Sequence, residues 1–342
     1  MRRKLRPVLH DRWWLIGPSP DLTGLLPGAE DHRAKWEADG CKGEHNAPVD
    51  HHVFQGPDGK WHLWGCVRNT AVGRILYHWE TDALTDRSWR ETGEVIRCDR
   101  EAGECLNDGL SEQIQSPFVV TENGAYHMFY GGSMAGVQDE NGDLQSLAEM
   151  TDRSTYIDTP HEFQICLMTS EDGRTWTRRR DAHGHSRLFV GPGTDRDPCV
   201  IKIGDLWHMY YLGYEGRGEC NNGFVCRTSR DLIHWSDWTT VHRDDRFGGS
   251  HGYRCECPHV VFRDGYFYLF RTEEYYEHRT HVFRSEDPMD FGIGDAASKY
   301  VGYFPAAAVE IYESEGQEYV SSNHDPILGT KMCHLQWIED GS

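Results

Sequence analysis

Basic residues are scarce beside acidic ones. The 342 residues include 35 Lys plus Arg against 55 Asp plus Glu, a formal net charge of −20. Such a surface repels phosphate backbones and anionic lipid, so neither nucleic acid nor a membrane is an expected partner. No run approaches the ~20 apolar residues of a membrane span. The opening segment is basic, but Trp13-Trp14-Leu15-Ile16 is too short for the apolar part of a secretory leader. A cytoplasmic chain is therefore expected. The 11 cysteines, an odd number scattered from Cys41 to Cys333, contain no C-x-x-C pair. That excludes a zinc ribbon or a thioredoxin motif and fits free thiols in a reducing compartment. H-E-x-x-H is also absent, as is any long stretch with a 3.6-residue apolar period.

What is present is aromatic and turn-rich. Aromatics make up 12% of the chain and hydrophobic residues 38%, enough for a sizeable core, while 36 glycines suit many turns. A repeated unit accounts for both. It runs from Asp50 through Asp58-Gly59 to Trp61 and Trp64, then from Ser116 through Asn123-Gly124 to Tyr126 and Tyr130. It returns from Asp197 through Gly204-Asp205 to Trp207 and Tyr211, and from Cys257 through Asp264-Gly265 to Phe267 and Phe270. A weaker fifth copy starts near Pro305 and ends near Val320. Gly, Asn and Asp tolerate positive φ, so each centre reads as a hairpin turn between strands rich in β-branched and aromatic residues.

A second marker follows the unit. Ser170-Glu-Asp172 leads to Trp176, Ser229-Arg-Asp231 to Trp235, and Ser285-Glu-Asp287 to Phe291. Ser and Asp close such turns by accepting nearby N–H groups, and the aromatic can pack between sheets. Units of roughly 50–65 residues with about four strands each predict an all-β, five-bladed β-propeller, its four-stranded antiparallel blades set around a central channel. A β-sandwich is the structural rival, and two regular markers per unit argue against it. Residues 46–342 form the expected propeller. Residues 1–45 fall outside the repeat, as an extension that braces the propeller or contacts another subunit in a homo-oligomer. Two stretches interrupt the repeat, Met134 to Glu162 and Glu215 to Gly223. Long loops on a rigid scaffold often border a site.

In a propeller the innermost strand of every blade lines the channel, so equivalent positions converge. The position before the short apolar strand reads Asp50, Ser116 and Asp197, and in the fourth copy Cys257 with Glu256 one residue before it. Three carboxylates from three blades would then meet near one channel end. Crowded carboxylates are costly unless one is protonated or cations share them, and Arg196 and Arg254 lie beside two of the three. One protonated and one ionised carboxyl is what glycosidic bond cleavage requires.

Those residues resemble a known group, the five-bladed propeller glycoside hydrolases of families 32, 43, 68 and 117. Arg196-Asp197-Pro198 matches the Arg-Asp-Pro motif of its fructan-active members, Glu256-Cys257-Pro258 their Glu-Cys motif, and Phe129-Tyr-Gly-Gly-Ser133 resembles their Phe-Ser-Gly-Ser element. The resemblance implies that Asp50 is nucleophile or general base, that Asp197 stabilises the transition state, and that Glu256 is general acid. Pro48-Val-Asp50-His51-His52 departs from the Asn-Asp-Pro-Asn-Gly opening of the fructan-active enzymes, which leaves fructose, arabinose, xylose, galactose and anhydro sugars open. A histidine acts as acid in family 117, which makes His251 a second acid candidate.

Substrate contacts are expected from His51, Ser116, Phe129, Arg196, His251, Arg271 and His324. No cofactor is required by this reading. Some propeller hydrolases hold a divalent cation in the channel, and His51 or His324 would be its contacts here. The expected activity is exo-hydrolysis of short oligosaccharides. A non-catalytic sugar-binding propeller and a glycoside phosphorylase are the alternatives, separated by mutation of the acids and by phosphate dependence.

Overall fold

The structure, a computed structural model, describes residues 2–26, 46–105, 112–133, 137–138, 144–145, 164–192, 196–213, 223–247, 255–274, 277–325 and 329–340. The candidate residue His251 lies outside them, as do most of the two interrupting stretches, Met134 to Glu162 and Glu215 to Gly223, and the side chain of His324.

The described strands are antiparallel and fall into five blades, the expected propeller. The chain opens with β1 (Leu5–Leu9) and β2 (Trp14–Gly17). Blade one is β3 (Ala47–Gln55), β4 (Trp61–Thr70), β5 (Gly73–Thr81) and β6 (Arg90–Ile96). Blade two is β7 (Gln115–Glu122), β8 (Ala125–Ser133), β11 (Gln164–Ser170) and β12 (Thr177–Arg178), with β13 (Arg187–Val190) also pairing β11. A two-strand excursion, β9 (Val137–Gln138) and β10 (Leu144–Gln145), stands apart from it. Blade three is β14 (Arg196–Ile203), β15 (Leu206–Leu212), β16 (Gly223–Ser229) and β17 (Thr239–Arg243). Blade four is β18 (Glu256–Arg263), β19 (Tyr266–Glu274), β20 (Arg279–Ser285) and β21 (Tyr300–Pro305). Blade five is β22 (Glu310–Ser314), β23 (Gln317–Asp325) and β24 (Gly329–Glu339). No helix among the described residues is long and apolar enough to cross a membrane.

Blade five corrects the expected boundary at residue 46. β1 pairs with β24 from Leu5↔Glu339 to Leu9↔Leu335, and β2 pairs with the same strand. Residues 5–17 thus supply the outer strands of the last blade. They carry no repeat signature because they complete a blade whose other strands lie at the far end of the chain. The backbone edge of β24 would otherwise be left open, and strand pairing satisfies it.

The turn chemistry follows the sequence. Asn123-Gly124 and Asp264-Gly265 have φ of +53° and +79°, and +49° and +89°. Both central residues are left-handed, as a type I′ hairpin requires. The Ser–Asp marker is also a turn. The Ser170 hydroxyl accepts the Asp172 and Gly173 N–H groups at 3.2 and 2.8 Å, and Asp172 Oδ1 accepts those of Arg174 and Thr175. Ser229 and Asp231 repeat the pattern in blade three. The aromatic that follows wedges between blades: Trp176 meets Phe54 and Trp64 of blade one edge-on, and Trp235 meets Phe129 of blade two.

The core therefore lies between blades. Phe54, Trp64, Tyr126 and Met128 fill the first interface, and Tyr268, Phe270, Phe304 and Val320 fill the fourth. Trp14, Val53, Trp79 and Tyr319 close the ring. The expectation of free thiols is corrected at one pair. A 3-10 turn over Arg100–Ala102 folds the chain back and sets Cys98 and Cys105 at a Cα separation of 6.3 Å, within bridging range, and they form a disulfide. Cys66, Cys166, Cys199, Cys226, Cys255, Cys257 and Cys333 are thiols.

Candidate active site

The first four inner strands begin with the same irregularity. Between Pro48↔Val67 and His51↔Gly65, three residue steps on β3 oppose two on β4. The same count holds between Gln115↔Gly131 and Phe118↔Phe129, between Arg196↔Leu212 and Cys199↔Tyr210, and between Glu256↔Thr272 and His259↔Phe270. Each strand thus carries a one-residue bulge at the channel mouth, a device that re-aims side chains. The first bulge residue is Ser116, Asp197 or Cys257, with φ of +55°, +58° and +48°.

The cavity lining at this mouth follows the alignment read from sequence. Asp50 and His51 line it just as Ser116 and Pro117, Asp197 and Pro198, and Cys257 and Pro258 do. Glu256 precedes its bulge, in the place of Arg196. Asp50 and Asp197 thus share one position of the motif, and Glu256 stands one residue before it.

The bulges bring the acids together. The Ser116 hydroxyl lies 2.9 Å from Asp50 Oδ2 and 2.7 Å from Asp197 Oδ1. The other oxygens of the two carboxylates meet Cys257: its N–H donates to Asp197 Oδ2 at 3.0 Å, and its thiol faces Asp50 Oδ1 at 3.6 Å. A hydroxyl carries one proton, so both Ser116 contacts are full hydrogen bonds only when one carboxyl is protonated. Arg196 completes the set. Its Nη2 donates to Glu256 Oε1, and its Nε lies 3.8 Å from Asp197 Oδ2.

Burial and mutual repulsion shape the protonation states. Burial pushes Glu256 up to about 7, with Asp197 and Asp50 adding to the rise and Arg196 opposing it. Burial also raises Asp197; Arg196, the Ser116 hydroxyl and the Cys257 N–H pull the other way, and Asp50 adds to the rise. A carboxylic acid that keeps its proton near neutrality beside other carboxylates is the condition for general acid catalysis. Asp50, Asp197 and Ser116 line one narrow cavity of about 20 Å³ with His51, Cys257 and Glu310, room for about one water.

Next to the acids lies a buried polar layer built on Glu310, which lines the same cavity. His52 Nδ1 contacts Glu310 Oε2 at 2.5 Å, and the Tyr312 hydroxyl donates to the same oxygen at 2.7 Å. The Ile311 N–H donates to His259 Nε2 at 3.0 Å. Burial pushes Glu310 up, but His52, His51 and His259 together pull the other way, and Glu310 lies below the usual range. Its signal in the sequence was the faint fifth copy, where Ala308-Val309-Glu310 stands in place of a polar bulge residue.

Three expected substrate contacts take other places. Phe129 is fully buried, its ring edge-on to Trp235 at 5.7 Å, because strand alternation turns it onto the blade face. Arg271 is fully buried as well. Its guanidinium donates to the Asp244 and Phe247 carbonyls at 3.1 and 3.3 Å and meets His242 at 3.2 Å, so it anchors the segment after β17. His51 lines the cavity, but its ring nitrogens engage Ser321 at 2.5 Å and Asn323 at 3.1 Å. Burial holds it down at about 4, so the ring is neutral. Ser116 and Arg196 lie with the acids, as expected.

As for a channel cation, Asp50, Asp197 and Cys257 offer donor atoms within 4.8 Å of one another, two hard carboxylates and one soft thiol. Both carboxylates are bridged by Ser116, and both His51 nitrogens are engaged.

By sequence, no family model and no curated protein matches the chain. By structure it is similar to an exo-1,5-α-L-arabinanase from a bovine ruminal metagenomic library, at 16% identity, covering 84% of this chain and 93% of that one with a TM-score of 0.55. It is similar to an α-L-arabinofuranosidase from Lactobacillus brevis at 10% identity, covering 86% and 92% with a TM-score of 0.54. A family-43 enzyme from Xanthomonas citri complexed with xylotriose matches at 13% identity, covering 91% and 88% with a TM-score of 0.53. The chain shares the five-bladed propeller of the family-43 glycoside hydrolases over nearly its whole length.

Proposed function

We propose that this protein is a glycoside hydrolase that releases a terminal sugar from short oligosaccharides. The observation that carries the reading is the acid cluster. Asp50 and Asp197 share Ser116, while Glu256, held by Arg196, is pushed up to about 7.

Glu256 gives its proton to the glycosidic oxygen as the bond breaks. Asp50 attacks the anomeric carbon or activates a water to do so. Asp197, fixed by the Cys257 N–H and Ser116, sets negative charge beside the oxocarbenium-like transition state. Arg196 orients Glu256 and limits its rise, so the acid keeps its proton near neutrality yet can release it. The acids lie at one end of a channel walled by five blades, which favours a chain end over an internal bond. Pentosides are the first substrates to try, since the similar structures are an arabinanase, an arabinofuranosidase and an enzyme complexed with xylotriose.

The test is a screen of arabino-, xylo-, fructo- and galacto-oligosaccharides with wild type, Asp50→Asn and Glu256→Gln, with and without phosphate. Release of a terminal sugar that both variants abolish, at a rate indifferent to phosphate, is the expected result. Sugar binding without cleavage by wild type, or cleavage that requires phosphate, overturns the proposal.

A further inference from the structure

A second cluster of chemistry-bearing side chains lies away from the acids, near the β3–β4 turn. His62 on β4 faces Glu80 on β5 in register, and His78 lies two residues before Glu80. The pleat puts all three on one face of blade one. His62 and His78 are fully buried, and Glu80 is 1% exposed. Their donor atoms lie within 4.8 Å of one another.

The outer partners of the two rings set where their lone pairs point. His78 Nδ1 faces Glu94 Oε2 and the Thr92 hydroxyl, each at 3.0 Å, and His62 Nε2 faces Asp58 Oδ1 at 3.4 Å. A nitrogen facing a carboxylate carries the hydrogen. With both outer nitrogens protonated, His62 Nδ1 and His78 Nε2 are bare, yet they face each other at 2.9 Å. Two facing lone pairs need something positive between them. Carboxylates that orient histidines in this way are the usual outer shell of a metal site.

Glu80 supplies the second observation. Lys60 and Arg90 hold its Oε1, while its buried Oε2 accepts no hydrogen bond. The nearest cation to Oε2 is Arg174 Nη1 at 3.4 Å, and the same side chain donates to Glu94 at 2.7 Å. A shared proton would satisfy the rings and leave Oε2 as it is. A metal ion would satisfy all three groups.

We propose that His62, His78 and Glu80 form a binding site for a divalent transition cation of the zinc type. Two imidazoles and a carboxylate suit zinc in kind and number. Two nitrogens on one tetrahedral zinc, at ~2.0–2.1 Å each, lie about 3.3 Å apart, so the rings need part by only a few tenths of an ångström. The cation sits where blade one meets the Gly173 turn of blade two, whose carbonyl accepts the Trp64 indole N–H at 3.0 Å. It competes with Arg174 for Glu80 and leaves Arg174 on Glu94.

The experiment uses the full chain, stripped by chelator and dialysed, then titrated with Zn²⁺ and with Co²⁺. Bound metal is read by equilibrium dialysis, by the visible bands of tetrahedral Co²⁺, and by the melting temperature. One cation per chain is expected, with a raised melting temperature. His78→Gln and Glu80→Gln each weaken binding at least tenfold, Arg174→Gln tightens it, and Cys257→Ser leaves the stoichiometry at one. If His78→Gln does not fold, His62→Gln takes its place beside Glu80→Gln. No stoichiometric cation on the wild-type chain overturns the proposal, as does binding indifferent to these variants or loss of the cation in Cys257→Ser.

Discussion

Glu256→Gln probes the central argument from two sides. The catalytic side is the loss of a proton donor. Positioned general acids contribute typically 10²–10⁴-fold, so kcat/KM on an unactivated oligosaccharide should fall by about that factor. An aryl glycoside whose phenol leaves without protonation should lose much less. The wild-type profile should decline above about pH 7, where Glu256 gives up its proton, and that alkaline limb should vanish in the variant.

The stability side has a definite sign. Folding raises Glu256 from 4.5 to about 7, so between those values the folded chain holds a proton that the unfolded chain has released. Stability from this group is present in full below about pH 4.5 and is lost as pH rises through about 7. At about 1.4 kcal/mol for each pH unit, the loss is at most on the order of 3 kcal/mol, and the Arg196 contact is already within it. Glutamine keeps the shape and the acceptor oxygen but carries no charge. Glu256→Gln should therefore melt higher than wild type at pH 8, and the advantage should close by pH 5. Equal melting curves at both pH values would refute the buried-acid reasoning. Equal activity losses on both classes of leaving group would refute the assignment of Glu256 as acid.

Three further outcomes follow from the same geometry. Arg196→Met removes the cation that opposes the rise of Glu256, so the alkaline limb of the pH–rate profile should move upward as activity falls; a downward move contradicts the electrostatics. Phe129→Ala should cost about 3–5 kcal/mol in a denaturant melt and leave KM near its wild-type value, because Phe129 is core and not sugar platform. Deleting residues 2–13 removes β1 and bares the edge of β24, so the chain should melt several degrees lower or aggregate, as static light scattering would show.

The repeat was legible because it rests on local physics. Asn123-Gly124 and Asp264-Gly265 announce their hairpins by tolerating positive φ, and Ser170 and Asp172 announce a turn that their side chains close. Each copy repeats the same local solution, so blade number could be counted without a single long-range contact. The last blade's outer strands were not legible. β1 and β2 are ordinary apolar segments whose partner lies some 320 residues along the chain, and nothing local marks that pairing. Phe129 and Arg271 were misplaced for a related reason: strand identity gives no sign of which face a residue serves once both faces are packed.

The acids show where counting along a sequence ends and geometry begins. Alignment put Asp50, Ser116 and Asp197 in one column, with Glu256 one residue before the column's fourth member, Cys257. The column meets in one cavity, and Glu256 stands in the place of Arg196. Ser116 and Cys257 hold Asp50 and Asp197, and the one-residue offset leaves Glu256 to Arg196. Which atoms hold which acid could not be counted along the chain. The offset gives Glu256 surroundings of its own, in which burial pushes it up to about 7, and an acid that keeps its proton beside other carboxylates is what the proposed reaction needs.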